Sequence, residues 1–324
     1  MRHLKCTRLV GLSKVIGLCF WAVIFVGCAS TRQISESYTM PAEINMADRK
    51  SIVLEKVRGQ SQASDALTSR LRQSLLSKGF VVLDRESMDA KAREAFFGDD
   101  QNSDIVSATV LIRGNVLHSV VNTETERRIS TTKEGRQYYV YQTTGRGRVE
   151  VSYDVVDLGT TKVITSATIE SFSQQRSGWS EGGAPRIDTS PILNACYDDN
   201  VAQLMRKLAP YQVRANHTLY QIKEAPRSQS GISLLLANRP NDAYNEFKAA
   251  LEMMQDLPNV RPALLGRLTH NMAVATELAG FYEEALDLYI QASLFAGVPD
   301  NSANITRCQL RARDITRLRE QGIH

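Results

Sequence analysis

The 324-residue chain has no run of 18 apolar residues, which is about the length that a membrane-spanning helix needs. It also lacks a phosphate-binding P-loop, a G-x-S-x-G elbow, an H-E-x-x-H pair and any zinc-like spacing among its five histidines. We therefore expect no enzymatic activity, no cofactor and no metal site. Apolar residues make up 43% and charged residues 23% of the chain, which excludes a disordered or collagen-like protein.

Acidic residues are absent from the first fourteen positions, which carry Arg2, Lys5, Arg8 and Lys14. The remainder of the chain contains 35 basic and 35 acidic residues, so it is neutral without this segment. A neutral balance gives no broad basic surface, and we expect no binding to nucleic acid.

The N-terminus has the pattern of an export signal over residues 1–27. After the basic segment, Val15–Gly27 forms thirteen uncharged residues, too short to span a bilayer and suited to the apolar core of a signal peptide. Cys28 follows between Gly27 and Ala29, and this resembles the lipobox of bacterial lipoproteins, although Phe25 stands where that family prefers Leu. The resemblance implies a lipid anchor on Cys28 and, since no Asp follows it, the periplasmic face of the outer membrane. A plain signal peptide or a short signal anchor is the alternative.

Two cysteines remain after Cys28, namely Cys196 and Cys308. Each lies on an apolar helical stripe, which favours a buried thiol over a disulfide between them. Residues 28–48 are polar and aperiodic, and we expect a flexible tether there.

Residues 49–223 alternate strand and helix patterns, which predicts the mixed β-sheet with helices of an α+β fold. Leu67, Leu71 and Leu75 repeat at every fourth position before Gly79, as in a helix with a glycine cap. The other predicted elements are strands at 50–57, 80–83, 107–121, 136–144, 148–157, 162–172 and 213–222, helices at 86–97 and 190–208, and turns at 145–147 and 159–162.

Three segments of this region resemble the CsgG-like domains, the family of the curli secretion lipoprotein: GFVVLDRES at 79–87, SATVLIRGNV at 107–116 and the hairpin at 149–171. That fold is also found in the N-terminal domain of TolB and in lipoprotein activators of cell-wall synthases. The resemblance implies the same fold here, and it opens two functions, an oligomeric secretion-channel subunit and a synthase activator. Six arginine and lysine side chains within 118–148 argue against a membrane-inserted hairpin.

From residue 224 to residue 324 the period changes to 3.6, and the spacing of small and aromatic residues predicts tetratricopeptide repeats followed by a capping helix at 301–321. Small residues are needed where the two helices of a pair cross, and aromatic residues fill the space between pairs. The residues at motif positions are Gly231, Leu234, Ala243, Tyr244, Phe247, Ala250 and Leu251, and then Asn271, Met272, Ala273, Gly280, Tyr282, Ala285, Leu286, Tyr289 and Ala292.

In such repeats the first helix of each pair lines a concave face. By motif position this predicts a peptide groove formed by Arg267, His270, Val274 and Glu277. The alternative is that His270 and Glu277 are ordinary solvated side chains. The combined pattern predicts a lipid-anchored scaffold that holds envelope proteins through its repeats, with a homo-oligomer through the α/β domain as a further expectation.

Overall fold

The computed structural model describes residues 30–49, 51–83, 109–297 and 300–323. The predicted signal segment, Cys28 and the helix predicted at 86–97 lie outside the described residues. Within them the fold is α+β, as predicted: a mixed sheet with helices is followed by a purely helical region.

The strands form two separate sheets. The larger sheet has the order β3-β2-β4-β5-β6, in which β2 runs parallel to β3 and β4 while β4, β5 and β6 are antiparallel, and β7 pairs with β5 past the end of β6. The smaller sheet contains only β1 and β8. The strand bounds are β1 Thr31–Met40, β2 Ser51–Leu54, β3 Val81–Leu83, β4 Thr109–Thr131, β5 Gln137–Asp157, β6 Val163–Arg176, β7 Ser180–Glu181 and β8 Tyr211–Tyr220.

Two helices, α1 (Ser61–Ser77) and α2 (Ser190–Leu208), pack against each other and the larger sheet. The fourfold leucine spacing of α1 places Leu67, Leu71 and Leu75 on one fully buried stripe, as predicted. Gly79 follows with a φ of +83°, the left-handed conformation that ends a helix at low cost in glycine.

The turn predicted at Gly145 and Gly147 is wrong, because both glycines lie inside β5 beneath α2. A Cβ atom on either glycine would come within 2.6 Å of the Ile192 side chain. The missing side chains therefore allow α2 to approach the sheet closely, and the glycines serve packing.

The tether predicted at 28–48 is also wrong, because residues 31–40 form β1. This strand pairs with β8 in register from Thr31 opposite Tyr220 to Met40 opposite Tyr211. Alternate side chains of β1 from Ile34 onward are partly buried, since one face of the strand lies on the protein. β8 lies where the strand at 213–222 was predicted, but its partner is β1 and it does not extend the larger sheet.

The helical region contains two antiparallel pairs and a final helix: α3 Pro226–Leu236, α4 Pro240–Gln255, α5 Pro262–Leu278, α6 Tyr282–Ser293 and α7 Ser302–Glu320. A Cβ on Gly231 would overlap the ring of Phe247, and Ala243, Ala285 and Ala292 are fully buried, as close helix crossings require. Among the described residues, no helix combines the length and apolarity that crossing a membrane requires.

Candidate functional site

The four residues predicted to form an open groove all lie on α5, but three of them are buried. His270 is 3% exposed, Glu277 2% and Val274 1%. The prediction of an accessible peptide groove is therefore wrong at these positions. The reason is that β8 packs on α5 and occupies the face that the repeats would offer to a partner. Arg267 alone is half-buried, and it lines a cleft at the end of β8.

Polar side chains of α5 bind the backbone of β8 directly. The Asn271 side chain accepts a hydrogen bond from the Tyr220 N–H at 2.9 Å and donates one to the Tyr220 carbonyl at 2.8 Å. His270 donates from Nε2 to the Thr218 carbonyl at 2.8 Å. Asn271 thus pairs with β8 as a neighbouring strand would, so the groove holds an extended segment of its own chain.

Burial disfavours the charged form of the His270 imidazole. Its Nδ1 lies 2.8 Å from the Asn301 side-chain oxygen, and its ring meets Tyr220 and Tyr289 edge to face. Burial lowers the pKa of His270, and the hydrogen bonds with Thr218 and Asn301 offset only part of this effect. His270 therefore acts as a hydrogen-bond donor that fixes β8.

Glu277 is the centre of a buried ionic cluster. It accepts hydrogen bonds from Arg307 Nε at 2.5 Å, Arg307 Nη2 at 2.8 Å and the Tyr289 hydroxyl at 2.8 Å. Burial opposes the charge on Glu277, but the hydrogen bonds and charge of Arg307 prevail, so the pKa of Glu277 lies below its ordinary value. Burial and the adjacent carboxylate raise the pKa of Tyr289 well above its ordinary value. Glu277 and Arg307 thus form a buried ion pair in which both carboxylate oxygens accept hydrogen bonds.

The same cluster extends to the strands through His217 of β8. Arg307 Nη2 donates to His217 Nδ1 at 3.2 Å, and His217 Nε2 lies 3.6 Å from a carboxylate oxygen of Glu36 in β1. Among the described residues, His217 Nε2 is buried without a hydrogen-bond partner. Side chains of β1, β8, α5 and α7 therefore meet at one buried polar centre.

Arg311 of α7 supplies a second attachment for β1. It donates to the Thr39 carbonyl at 2.8 Å and to the Tyr282 hydroxyl at 2.9 Å, and its guanidinium lies 3.9 Å from the ring centroid of Tyr38. Arg311 is only 8% exposed although it carries a charge. Its three-residue spacing from the buried Cys308 was the available signal that it lies on the inner stripe.

The two remaining thiols are buried and unpaired, as predicted. Burial, with a smaller effect of Glu277, raises the pKa of Cys308 to about 12. Burial likewise raises the pKa of Cys196. Both thiols are thus protonated at neutral pH and unreactive. In the part of the chain that the structure describes, no three His, Cys, Asp or Glu side chains are placed to share a metal ion.

Two surface features remain accessible. The first, which we call the β-arm, is the hairpin of β4 and β5 over residues 118–148, with six Arg or Lys and three Glu side chains. On it Arg127 lies over the Tyr139 ring at 4.6 Å and Arg128 over the Trp179 ring of the adjoining loop at 4.8 Å. The aromatic faces are therefore covered by cations that keep the arm polar.

The second feature, which we call the repeat edge, lies where α4 and α6 end. Met253 and Leu257 are more than half exposed there, and Ile290 and Leu294 are 44% and 80% exposed. Met253 lies in the last turn of α4 and Leu257 in the turn that follows, while Ile290 lies in the last turn of α6 and Leu294 directly after it. Both pairs therefore lie near the C-terminal end of the second helix of a repeat.

No protein-family profile matches this chain, and no curated protein matches its sequence. Solved structures similar to part of this chain include the minor lipoprotein from Acinetobacter baumannii (15% identity, 49% of this chain, 91% of that chain, TM-score 0.26) and the PelC dodecamer from Paraburkholderia phytofirmans (17% identity, 54% of this chain, 97% of that chain, TM-score 0.26). The TPR domain of Arabidopsis FLU matches with 22% identity over 29% of this chain and 84% of that chain, with a TM-score of 0.24. At these TM-scores the similarities assign neither a family nor a function.

Proposed function

We propose that the chain is a lipoprotein of the bacterial envelope, held by lipid on Cys28 at the periplasmic face of the outer membrane, and that it is a scaffold for other envelope proteins with no catalytic role. One observation on the repeats supports the proposed scaffold function. Their inner face is filled by β8, while large apolar side chains stay exposed at the repeat edge. A partner protein therefore binds at that edge and leaves the occupied face undisturbed.

The lipid anchor rests on the order of features before the fold. A basic segment, thirteen apolar residues and small residues on both sides of Cys28 precede β1, which begins only three residues after the cysteine. A stable anchor of this kind needs more than one acyl chain, as a lipoprotein cysteine provides. The folded part would then lie directly on the membrane surface.

Radioactive palmitate labelling tests the anchor. Cys28→Ser should abolish the label and release the protein from the membrane fraction, because no other acylation site is proposed. Cys19→Ser, which removes a second cysteine of the same segment, should leave the label unchanged. A labelled Cys28→Ser protein would refute the assignment.

Cross-linking in cells followed by affinity purification tests the repeat edge. Ile290→Glu with Leu294→Glu places two charges on exposed positions, so the fold should survive while bound envelope proteins are lost. The matched control is Leu76→Glu with Leu117→Glu, which changes two exposed apolar residues of the α/β domain. Equal recovery of partners by both variants would remove the repeat edge from the proposal.

A second function, an oligomeric secretion-channel subunit of the curli type, is favoured by the length of the β-arm. β4 and β5 pair continuously to Thr131 and Gln137, farther than the sheet core requires. Sedimentation of the Cys28→Ser protein with and without detergent distinguishes the two functions, because a channel subunit forms a large ring that needs detergent, whereas a scaffold without its lipid anchor stays in solution.

A further inference from the structure

A cleft of about 520 Å³ opens between the end of β8 and the start of α5. This volume falls within the range of small-molecule sites, roughly 300–1,000 Å³. Basic groups dominate its charge, since Lys223, Arg261 and Arg267 line it with the single acid Glu224. Arg261 binds Glu224 at 2.5 Å, so this pair is neutral and the cleft keeps two positive charges.

Those two charges have no acidic partner in the described residues. Lys223 is exposed, and Arg267 lies over the Tyr220 ring with 5.8 Å between the guanidinium carbon and the ring centroid. The Nε of Arg267 is buried and has no hydrogen-bond partner among the described residues. An arginine held partly out of water without a counterion favours binding of an anion, and its planar group suits a phosphate.

The cleft lies beside the point where the chain reaches its proposed anchor. Ser30 lines it and is fixed there, because its hydroxyl donates to the Gln221 side chain at 2.6 Å and its carbonyl accepts from the Gln221 N–H at 2.9 Å. Cys28 is two residues away, a reach of at most about 7 Å. The lipid on Cys28 would therefore bring this cleft to the level of the phospholipid headgroups.

We propose that this cleft binds the phosphate of an anionic phospholipid headgroup in the membrane that holds the Cys28 lipid, with Arg267 and Lys223 as the phosphate-binding residues. The inference rests on the proposed anchor, which supplies the position relative to the membrane. Binding would orient the anchored fold on the bilayer, since the acyl chains hold one point and the headgroup a second.

Native mass spectrometry of the purified lipoprotein in detergent, titrated with phosphatidylglycerol, tests the proposal. Each basic group near anionic lipid contributes several-fold to binding, so Lys223→Gln with Arg267→Gln should weaken phosphatidylglycerol binding roughly tenfold or more. Arg313→Gln with Arg319→Gln, which removes two exposed charges of α7, should leave it unchanged. Lys223→Gln alone changes only an exposed residue and should still weaken binding several-fold if the double variant does not fold.

Three results would overturn the proposal: equal binding by the wild type and the cleft variant, an equal loss in the α7 control, or equal binding of phosphatidylcholine by the wild type. Inorganic phosphate tests the other source of the ligand. If it binds alone as tightly as phosphatidylglycerol and displaces it fully, the site belongs to a soluble phosphate and the membrane role is wrong. The same spectra report the acyl mass on Cys28, so a missing anchor is recognised separately from an empty cleft.

Discussion

The α/β domain and the helical region build their interiors differently. The α/β domain has one large apolar cluster against the larger sheet, and its buried polar side chains, such as Ser64 and Asn200, make individual hydrogen bonds to neighbouring groups. The interior of the helical region instead contains the ionic cluster of Glu277, Arg307 and His217. An apolar core needs only matching shapes, whereas a strand held in a helical groove needs partners for its backbone groups. Polar side chains in the repeats therefore select one bound segment, β8.

The largest expected loss of stability comes from removing one member of the ionic cluster. Arg307→Leu leaves the Glu277 carboxylate buried without its cation and should lower the free energy of unfolding by about 3–5 kcal/mol, measured by urea unfolding. Arg313→Leu, on the exposed side of the same helix, should cost less than about 0.5 kcal/mol. Adding Glu277→Gln to Arg307→Leu should recover part of the loss. Equal costs for the two single variants would show that the cluster does not secure β8.

The stability of the α/β domain should depend on the close contact between α2 and the larger sheet. Gly147→Ala places a methyl group 2.6 Å from Ile192 Cγ2 and 3.2 Å from Cys196 Sγ, so α2 must move away from the sheet. We expect a loss of about 1–3 kcal/mol in thermal unfolding. Gly178→Ala is the control, because its Cβ would meet no atom within 4 Å. An unchanged melting temperature in Gly147→Ala would show that the contact between α2 and the sheet tolerates an added methyl group.

Shape also matters at the helix crossings of the repeats. Ala285→Leu or Ala250→Leu adds volume at buried positions and should cost about 1–3 kcal/mol. The exposed Lys248→Ala should cost less than about 0.5 kcal/mol. Thermal melts that fail to separate these variants would contradict the register assigned to the repeats.

The smallest expected effect is a dependence on pH that comes from His270. Its folded pKa lies below the ordinary value of about 6.5, so on acidification the unfolded chain takes up a proton that the folded protein excludes. The stabilisation is complete above about pH 6.5 and is lost as the pH falls towards the folded pKa. Between pH 7.5 and 5.5 the free energy of unfolding should fall in urea titrations, most steeply below about pH 6.5.

Two histidine variants isolate this effect. His270→Gln should flatten the pH dependence, whereas His118→Gln, at an exposed position, should preserve it. An unchanged slope in His270→Gln would assign the dependence to another group.

Local patterns predicted local structure well. The leucines of α1, the hairpin before β6 and the helix pairs of the repeats follow from spacing within a short window. β1 was missed because its partner β8 lies some 180 residues away and because its polar residues gave no core pattern. The alternation of Ile34, Tyr38 and Met40 with hydroxyl side chains was the weak signal of a strand.

The candidate groove failed for a related reason. Motif position placed His270 and Glu277 on the correct helix face, but motif position does not reveal what covers that face. The answer depended on Thr218 and Tyr220 of β8, which no local pattern links to α5. Arg267 remains partly exposed because β8 ends beside it.

The pairing of β1 with β8 has a consequence for the order of folding. Thr31 precedes its partner Tyr220 by 189 residues. Closing a loop of that length is costly in entropy, and contacts between distant positions slow folding. The α/β domain between the two strands can assemble first and bring their ends together. We therefore expect β1 to stay unpaired until β8 and the helices that pack on β8 have formed. Docking of β1 then completes the fold.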